Sequence, residues 1–125
     1  IGALVIGVAT GFICYNAVGI IKQKFKIDDS LDVFPVHGVG GIVGALLTGI
    51  FVSDSFGGAG LAEGVTMGGQ LWIQLVSIVA TLVYSGVLSF IILKVVDKIV
   101  GLRVAAEDEQ VGLDPSQHNE TGYEI

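Results

Sequence analysis

The sequence predicts an all-α integral membrane protein with three transmembrane helices and a polar C-terminal tail. Three observations carry that expectation. First, the 125 residues are 52% hydrophobic and only 14% charged, against about 25% charged in an ordinary globular chain, and mean hydropathy is +0.80. Second, the charges are segregated: residues 1–21, 33–53 and 64–93 contain no Asp, Glu, Lys or Arg, and a helix needs roughly 20 apolar residues to cross a bilayer core. Third, the basic residues fall in two groups, Lys22, Lys24 and Lys26 after the first run and Lys94, Lys98 and Arg103 after the third, with none between the second and third. Because Lys and Arg collect on the cytoplasmic side, three crossings put every one of them on that side. The glycine-rich loop 53–69 is then external, and Trp72 falls near the outer boundary, where an interfacial aromatic is expected.

The runs are too long for barrel strands, which need about 10 alternating residues, whereas a helix satisfies its own backbone in lipid. The expected membrane part is 1–101, with helices at about 1–25, 33–53 and 69–101; the tail is 102–125. The third run would span about 45 Å as a helix, so its start through Gly69 is assigned to the loop. The chain opens in mid-run at Ile1, without a basic leader or cleavage site, and is read as a piece of a longer protein whose remaining helices are its first partners. The lone Cys14 lies within the first run and excludes a disulfide scaffold. Nucleic-acid binding lacks a basic patch.

Small residues recur at helical spacing: Gly7 and Gly11 in the first helix, and Gly40, Gly41, Gly44, Ala45 and Gly49 in the second. Such spacing lets membrane helices approach closely. The second helix has N-cap residues in Asp28-Asp29-Ser30-Leu31-Asp32, with Asp32 directly before the apolar run and Pro35 in the first turn, where a missing N–H costs little. His37 is the sole titratable side chain in that run. Membrane-embedded imidazoles face a bundle interior or a wet cavity, and on an α-helix Val33, Phe34, Gly40, Gly41 and Gly44 share the face of His37. Two roles stand open for it: passing small polar molecules or protons, since a neutral imidazole both donates and accepts, or an interhelical hydrogen bond worth roughly 0.6–2 kcal/mol. No second ligand lies within helical reach, which argues against a metal site, and no cofactor is required. The spans hold no paired carboxylates and no Ser–His or Cys–His constellation, which argues against an intramembrane enzyme. His118 is expected in the solvated tail.

The stretch Asp28-Asp29-Ser30-Leu31-Asp32-Val33-Phe34-Pro35-Val36-His37-Gly38-Val39-Gly40-Gly41-Ile42-Val43-Gly44 resembles the ammonium transporter (Amt/Mep/Rh) family around the second of its twin pore histidines. The likeness continues through Thr48-Gly49-Ile50-Phe51, Glu63-Gly64-Val65-Thr66-Met67-Gly68, Gln70-Leu71, Ser85-Gly86-Val87, Val100-Gly101-Leu102-Arg103-Val104 and the tail Gly112-Leu113-Asp114, His118-Asn119-Glu120 and Tyr123. The resemblance implies the last three helices of an eleven-helix fold, assembled as a homotrimer in the plasma or inner membrane with a cytoplasmic C-terminus and one pore per subunit. It implies ammonium or ammonia as substrate, His37 as the second pore histidine, and Val33 and Phe34 as further pore lining, while Asp32, Gly40, Gly41 and Gly44 keep the structural and packing roles that capping and spacing give them. The first histidine, the cation-recruiting aromatics and the phenylalanine gate would lie in other segments.

The tail holds Glu107, Asp108, Glu109, Asp114, Glu120 and Glu124 against Arg103, which by composition alone reads as a solvating, disordered segment. The resemblance instead implies a regulatory tail, with Arg103, Gly112, Leu113, Asp114, His118 and Tyr123 at matching positions, that couples subunits and helps bind a PII-type regulatory protein. Asn119 and Gly122 depart from the commoner bacterial endings. The competing expectation is a non-transporting assembly or ammonium-sensing module in which His37 serves as helix glue.

Overall fold

The computed structural model describes residues 1–123; Glu124 and Ile125, at the end of the expected tail, lie outside the described residues. Among the described residues the chain is helical with no strand, and three helices are long and apolar enough to cross a membrane: Gly2–Lys24, Val33–Phe51 and Met67–Val100. The chain divides into two compact units, Ile1–Leu82 and Val83–Ile125.

In the first unit, α1 (Gly2–Gly19) ends in a π-helical turn, Ile20–Lys24. The second span opens with another π turn, Val33–Gly38, and continues as α2, Val39–Phe51. α1 packs on this second span. Cys14 and Ile21 are each 8% exposed and Pro35 is fully buried. One close approach runs through Gly40, where a methyl group would lie 3.2 Å from the Cys14 sulfur and 3.5 Å from the Thr10 methyl. The Cys14 thiol donates to the Val36 carbonyl at 3.7 Å, and the neighbouring Thr10 hydroxyl is buried without a partner among the described residues. Gly7, Gly11, Gly41 and Gly44 face open space. The glycine seam of α2 is thus engaged at two positions, Gly40 by α1 and the buried Gly49 by Gln74 and Leu71, to which a methyl group would lie 2.8 and 3.6 Å away.

After α2 the chain turns through a short 3-10 helix, Asp54–Phe56, whose Phe56 ring meets Phe51 edge-on at 5.3 Å. Gly58 is required here, because a Cβ would collide with the carbonyls of Phe51 and Val52. α3 then begins at Met67, earlier than the expected start at 69. The reason is Thr66, whose hydroxyl accepts from the Gly69 amide at 3.1 Å. That cap satisfies an otherwise orphaned first-turn donor and draws Gly68 and Gly69 into the helix.

α3 runs for 34 residues to Val100. Its later part belongs to the second unit, where Lys94 lies over the Phe90 ring at 5.8 Å. Beyond Gly101, which takes a positive φ of 79°, come α4 (Ala106–Val111) and a π turn, Asp114–His118. The tail therefore contains ordered helical elements rather than being featureless.

Candidate functional site

His37 sits in the turn that opens the second span, and the backbone there is organised by a residue other than the one expected. Asp32 directly precedes the span but adopts a left-handed conformation, φ 54° and ψ 34°, and makes no side-chain cap. An N-cap residue needs an extended backbone to aim its carboxylate at the following amides, and Asp32 lacks it. Its carboxylate instead meets the Lys22 ammonium at 2.8 Å, an ion pair joining the end of the first span to the start of the second. The cap comes from Asp29: one oxygen accepts from the Val33 amide at 2.9 Å and the other from Phe34 at 2.8 Å. The Phe34 bond first, then the Val33 bond, hold the Asp29 carboxyl below the ordinary aspartate range, aided by Lys22 and opposed by desolvation.

With this cap the donors at the start of the second span are accounted for. Val33 and Phe34 donate to Asp29, Pro35 has no N–H, and Val36 donates to the Asp32 carbonyl at 2.9 Å. The turn then closes with the wide spacing of a π helix, the Val39 amide reaching back to the Phe34 carbonyl. Such wide turns occur frequently at functional sites. This one changes which residues share a face with His37.

The imidazole opens onto a groove of about 320 Å³ lined by His37, Gly38, Gly41, Ile42 and Ala45 from the second span and Ser77, Ile78, Thr81 and Leu82 from α3. Gly41 therefore shares the groove with His37. Gly40 turns instead toward α1, Gly44 does not line the groove, and Val33 and Phe34, 51% and 53% exposed, lie outside it. A 3.6-residue period gathers all five beside His37, and the π turn breaks that period. No hydrogen bond engages the His37 ring among the described residues. His37 is exposed on this groove, whose walls are otherwise apolar apart from the Ser77 and Thr81 residues opposite; Ser77 donates to the Gln74 carbonyl at 2.9 Å. Ser77 and Thr81 were not anticipated from the sequence. Their signal was a row of hydroxyls at spacing four, Ser77, Thr81, Ser85 and Ser89, within an otherwise apolar run. Among the described residues no group of three or more His, Cys, Asp or Glu could hold a metal ion.

In the tail, Arg103 grips Glu109 with two bonds, Nε to Oε1 at 2.6 Å and Nη2 to Oε2 at 2.9 Å. This geometry is the strong, planar form of the ion pair, and it holds the Glu109 carboxyl below its ordinary range. Gly112, at φ 105°, separates α4 from the π turn. Leu113 is half-exposed, Asp114 and His118 stand at the two ends of the turn, and Tyr123 is exposed. Ser116 fastens the turn to α4 by donating to the carbonyls of Gly112 at 2.7 Å and Asp108 at 3.3 Å.

Comparison with known proteins agrees with this membrane architecture. The family model described as Ammonium Transporter Family matches residues 1–123. The chain is 44% identical, over its whole length, to an ammonium transporter of Aquifex aeolicus (strain VF5), covering 29% of that protein. It is 39% identical to an ammonium transporter of Bacillus subtilis (strain 168), with 98% of the chain aligned to 30% of the relative. A third relative, ammonium transporter Amt1 of Archaeoglobus fulgidus, is 43% identical, with 98% of the chain aligned to 31% of that protein. The chain spans about three-tenths of the length of the curated relatives it matches. That family is one of transporters rather than enzymes, and with its model matched across three apolar helices this membrane chain belongs to the ammonium transporter family.

Proposed function

We propose that this chain is the C-terminal third of an ammonium transporter, supplying the ninth, tenth and eleventh helices of an eleven-helix, homotrimeric protein that conducts ammonium or ammonia. In this reading His37 is the second of a pair of histidines lining a narrow hydrophobic pore. The observation that carries it is the placement of His37 on a groove whose walls are otherwise small or apolar, with Ser77 and Thr81 as the neighbouring hydroxyls. An apolar passage rejects hydrated ions, because stripping water from a bare charge costs far more than the surroundings return. A neutral imidazole that accepts at one nitrogen and donates at the other supplies the hydrogen bonds that a small nitrogen base loses with its water. A deprotonated substrate then needs no compensation for charge in the carbon-lined stretch. Val33 and Phe34, exposed on the turn toward the Lys22–Asp32 end, continue the lining. The basic groups 22–26 and 94–103 lie on the cytoplasmic side, and residues 102–125 form a regulatory tail that a PII-type protein recognises.

The test is His37→Leu in the full-length transporter. The variant is expected to fold and reach the membrane but to take up ammonium, or its analogue methylammonium, with a reduced rate or altered ion selectivity. Uptake and selectivity identical to the unmodified protein would overturn the role assigned to His37.

A further inference from the structure

The His37 groove contains no part of Asp29, yet the backbone that presents the imidazole hangs from that carboxylate. Both Asp29 oxygens are spent on consecutive amides, Val33 at 2.9 Å and Phe34 at 2.8 Å, the first two residues of the wide turn. The next residue, Pro35, contributes no N–H and is fully buried. Fully buried, it leaves the turn little room to shift. The Asp32 carboxylate does not take over, being held by Lys22 on a left-handed backbone that makes no side-chain cap. Without Asp29 the two adjacent donors at the exposed mouth of the turn pass to water, which satisfies them without fixing their direction, so the turn is free to reorganise. The same turn carries His37 and closes through the Phe34 carbonyl, so reorganisation at Phe34 is transmitted to the ring.

We propose that Asp29 is a positioning residue for the transport site: its carboxylate, clamped on the Val33 and Phe34 amides, sets the turn that aims the His37 imidazole into the groove facing Ser77 and Thr81. This rests on His37 handling substrate. Asparagine keeps one accepting oxygen and presents an NH2 to the other amide, so it restores half of the clamp; alanine restores none. Asp28, beside it in sequence, makes no such bond and serves as the control.

The experiment uses the full-length transporter with methylammonium as probe, with initial uptake rates measured against concentration and normalised to folded protein. Variants are Asp29→Ala, Asp29→Asn and Asp28→Ala, each also in a His37→Leu background, with hydrogen exchange read at Val33 and Phe34. Asp29→Ala is expected to lower the maximal rate about tenfold, in keeping with an ångström-scale misplacement at a site, while leaving the half-saturating concentration little changed. Asp29→Asn is expected to fall between, and Asp28→Ala to match the parent. In the His37→Leu background the Asp29 effect should vanish. An equal loss with and without His37, or full transport by Asp29→Asn or Asp29→Ala despite fast exchange at Val33 and Phe34, overturns the positioning role. A His37→Leu variant that transports normally sinks the pore reading instead, and the two failures are distinguishable. Should Asp29→Ala fail to fold, the paired exchange and uptake readings on Asp29→Asn decide the question.

Discussion

The paired spans, α1 with the second span, and the long α3 differ in a way that hydropathy does not anticipate. α3 is the most apolar, with a window hydropathy of 2.3 against 2.0 and 1.7, yet none of its window is buried, whereas the other two are each 11% buried. Close approach here occurs at small residues, Gly40 facing Cys14 and Gly49 facing Gln74. Gly40 lets the Cys14 sulfur approach α2, while large residues such as Trp72, Tyr84 and Phe90 stand exposed along α3. The lesson is that in an apolar solvent hydrophobicity has no preferred side. Lipid tails receive a leucine as readily as protein does, so close packing falls to glycine and its neighbours.

The sharpest way to break this comparison is bulk at the glycine that the Cys14 sulfur approaches. Gly40→Leu is expected to destabilise the detergent-solubilised protein by about 1–3 kcal/mol, as overpacking does, while Gly86→Leu on α3, where a Cβ meets nothing within 4 Å, should stay within about 0.5 kcal/mol. Thermal unfolding measures both, and equal losses would erase the distinction between the regions. A smaller effect sharpens it. Gly40→Ala places its methyl 3.2 Å from the Cys14 sulfur, so Cys14→Ala should relieve part of that cost, and the double-mutant cycle should show a coupling of about 0.5 kcal/mol or more. Additive behaviour would mean that the two side chains do not meet.

The smallest effect at neutral pH is acid-dependent. The Asp29 and Glu109 carboxyls both titrate below their ordinary range. A carboxylate depressed in the folded state contributes stability that is complete above its unfolded pKa and is lost as pH falls through the folded value. Amide protection factors at Val33, Phe34 and α4, taken relative to the intrinsic rate at each pH, should therefore be unchanged from pH 7 to 5 and fall below about pH 4. Asp29→Asn should abolish the acid limb at Val33 and Phe34 while leaving that at α4 intact. Loss of protection at neutral pH would contradict the assigned partners.

Much of the architecture was legible in the sequence because charge-free runs state where lipid can lie; the described spans begin within three residues of those runs, and the third continues past its run to Val100. What escaped was local backbone geometry. Asp32 has the composition and place of a cap, but its left-handed conformation hands the task to Asp29, and no side-chain pattern announces a single residue's φ. The glycine-rich start of the third run, through Gly69, is assigned to the loop because the run exceeds the bilayer core, yet the Thr66 hydroxyl starts α3 at Met67. The neighbours of His37 were drawn with a regular 3.6 period. Gly41 alone among them stays in the groove, since a π turn has no propensity signature of its own. Ser77 and Thr81 were visible as residues but not as a wall, because only the tertiary arrangement within the first unit brings them opposite the imidazole.

A turn closed five residues back contains one residue more than an α-turn, so the stretch Val33–Gly38 holds slack that a regular helix lacks. Deleting a single amino acid there would let it tighten into ordinary helix with its ladder intact, while swinging every side chain on one flank by about 100° around the axis. Chain length, no less than chemistry, thus dictates which way the imidazole looks. The segment should accept many substitutions more readily than it accepts the loss or gain of one residue.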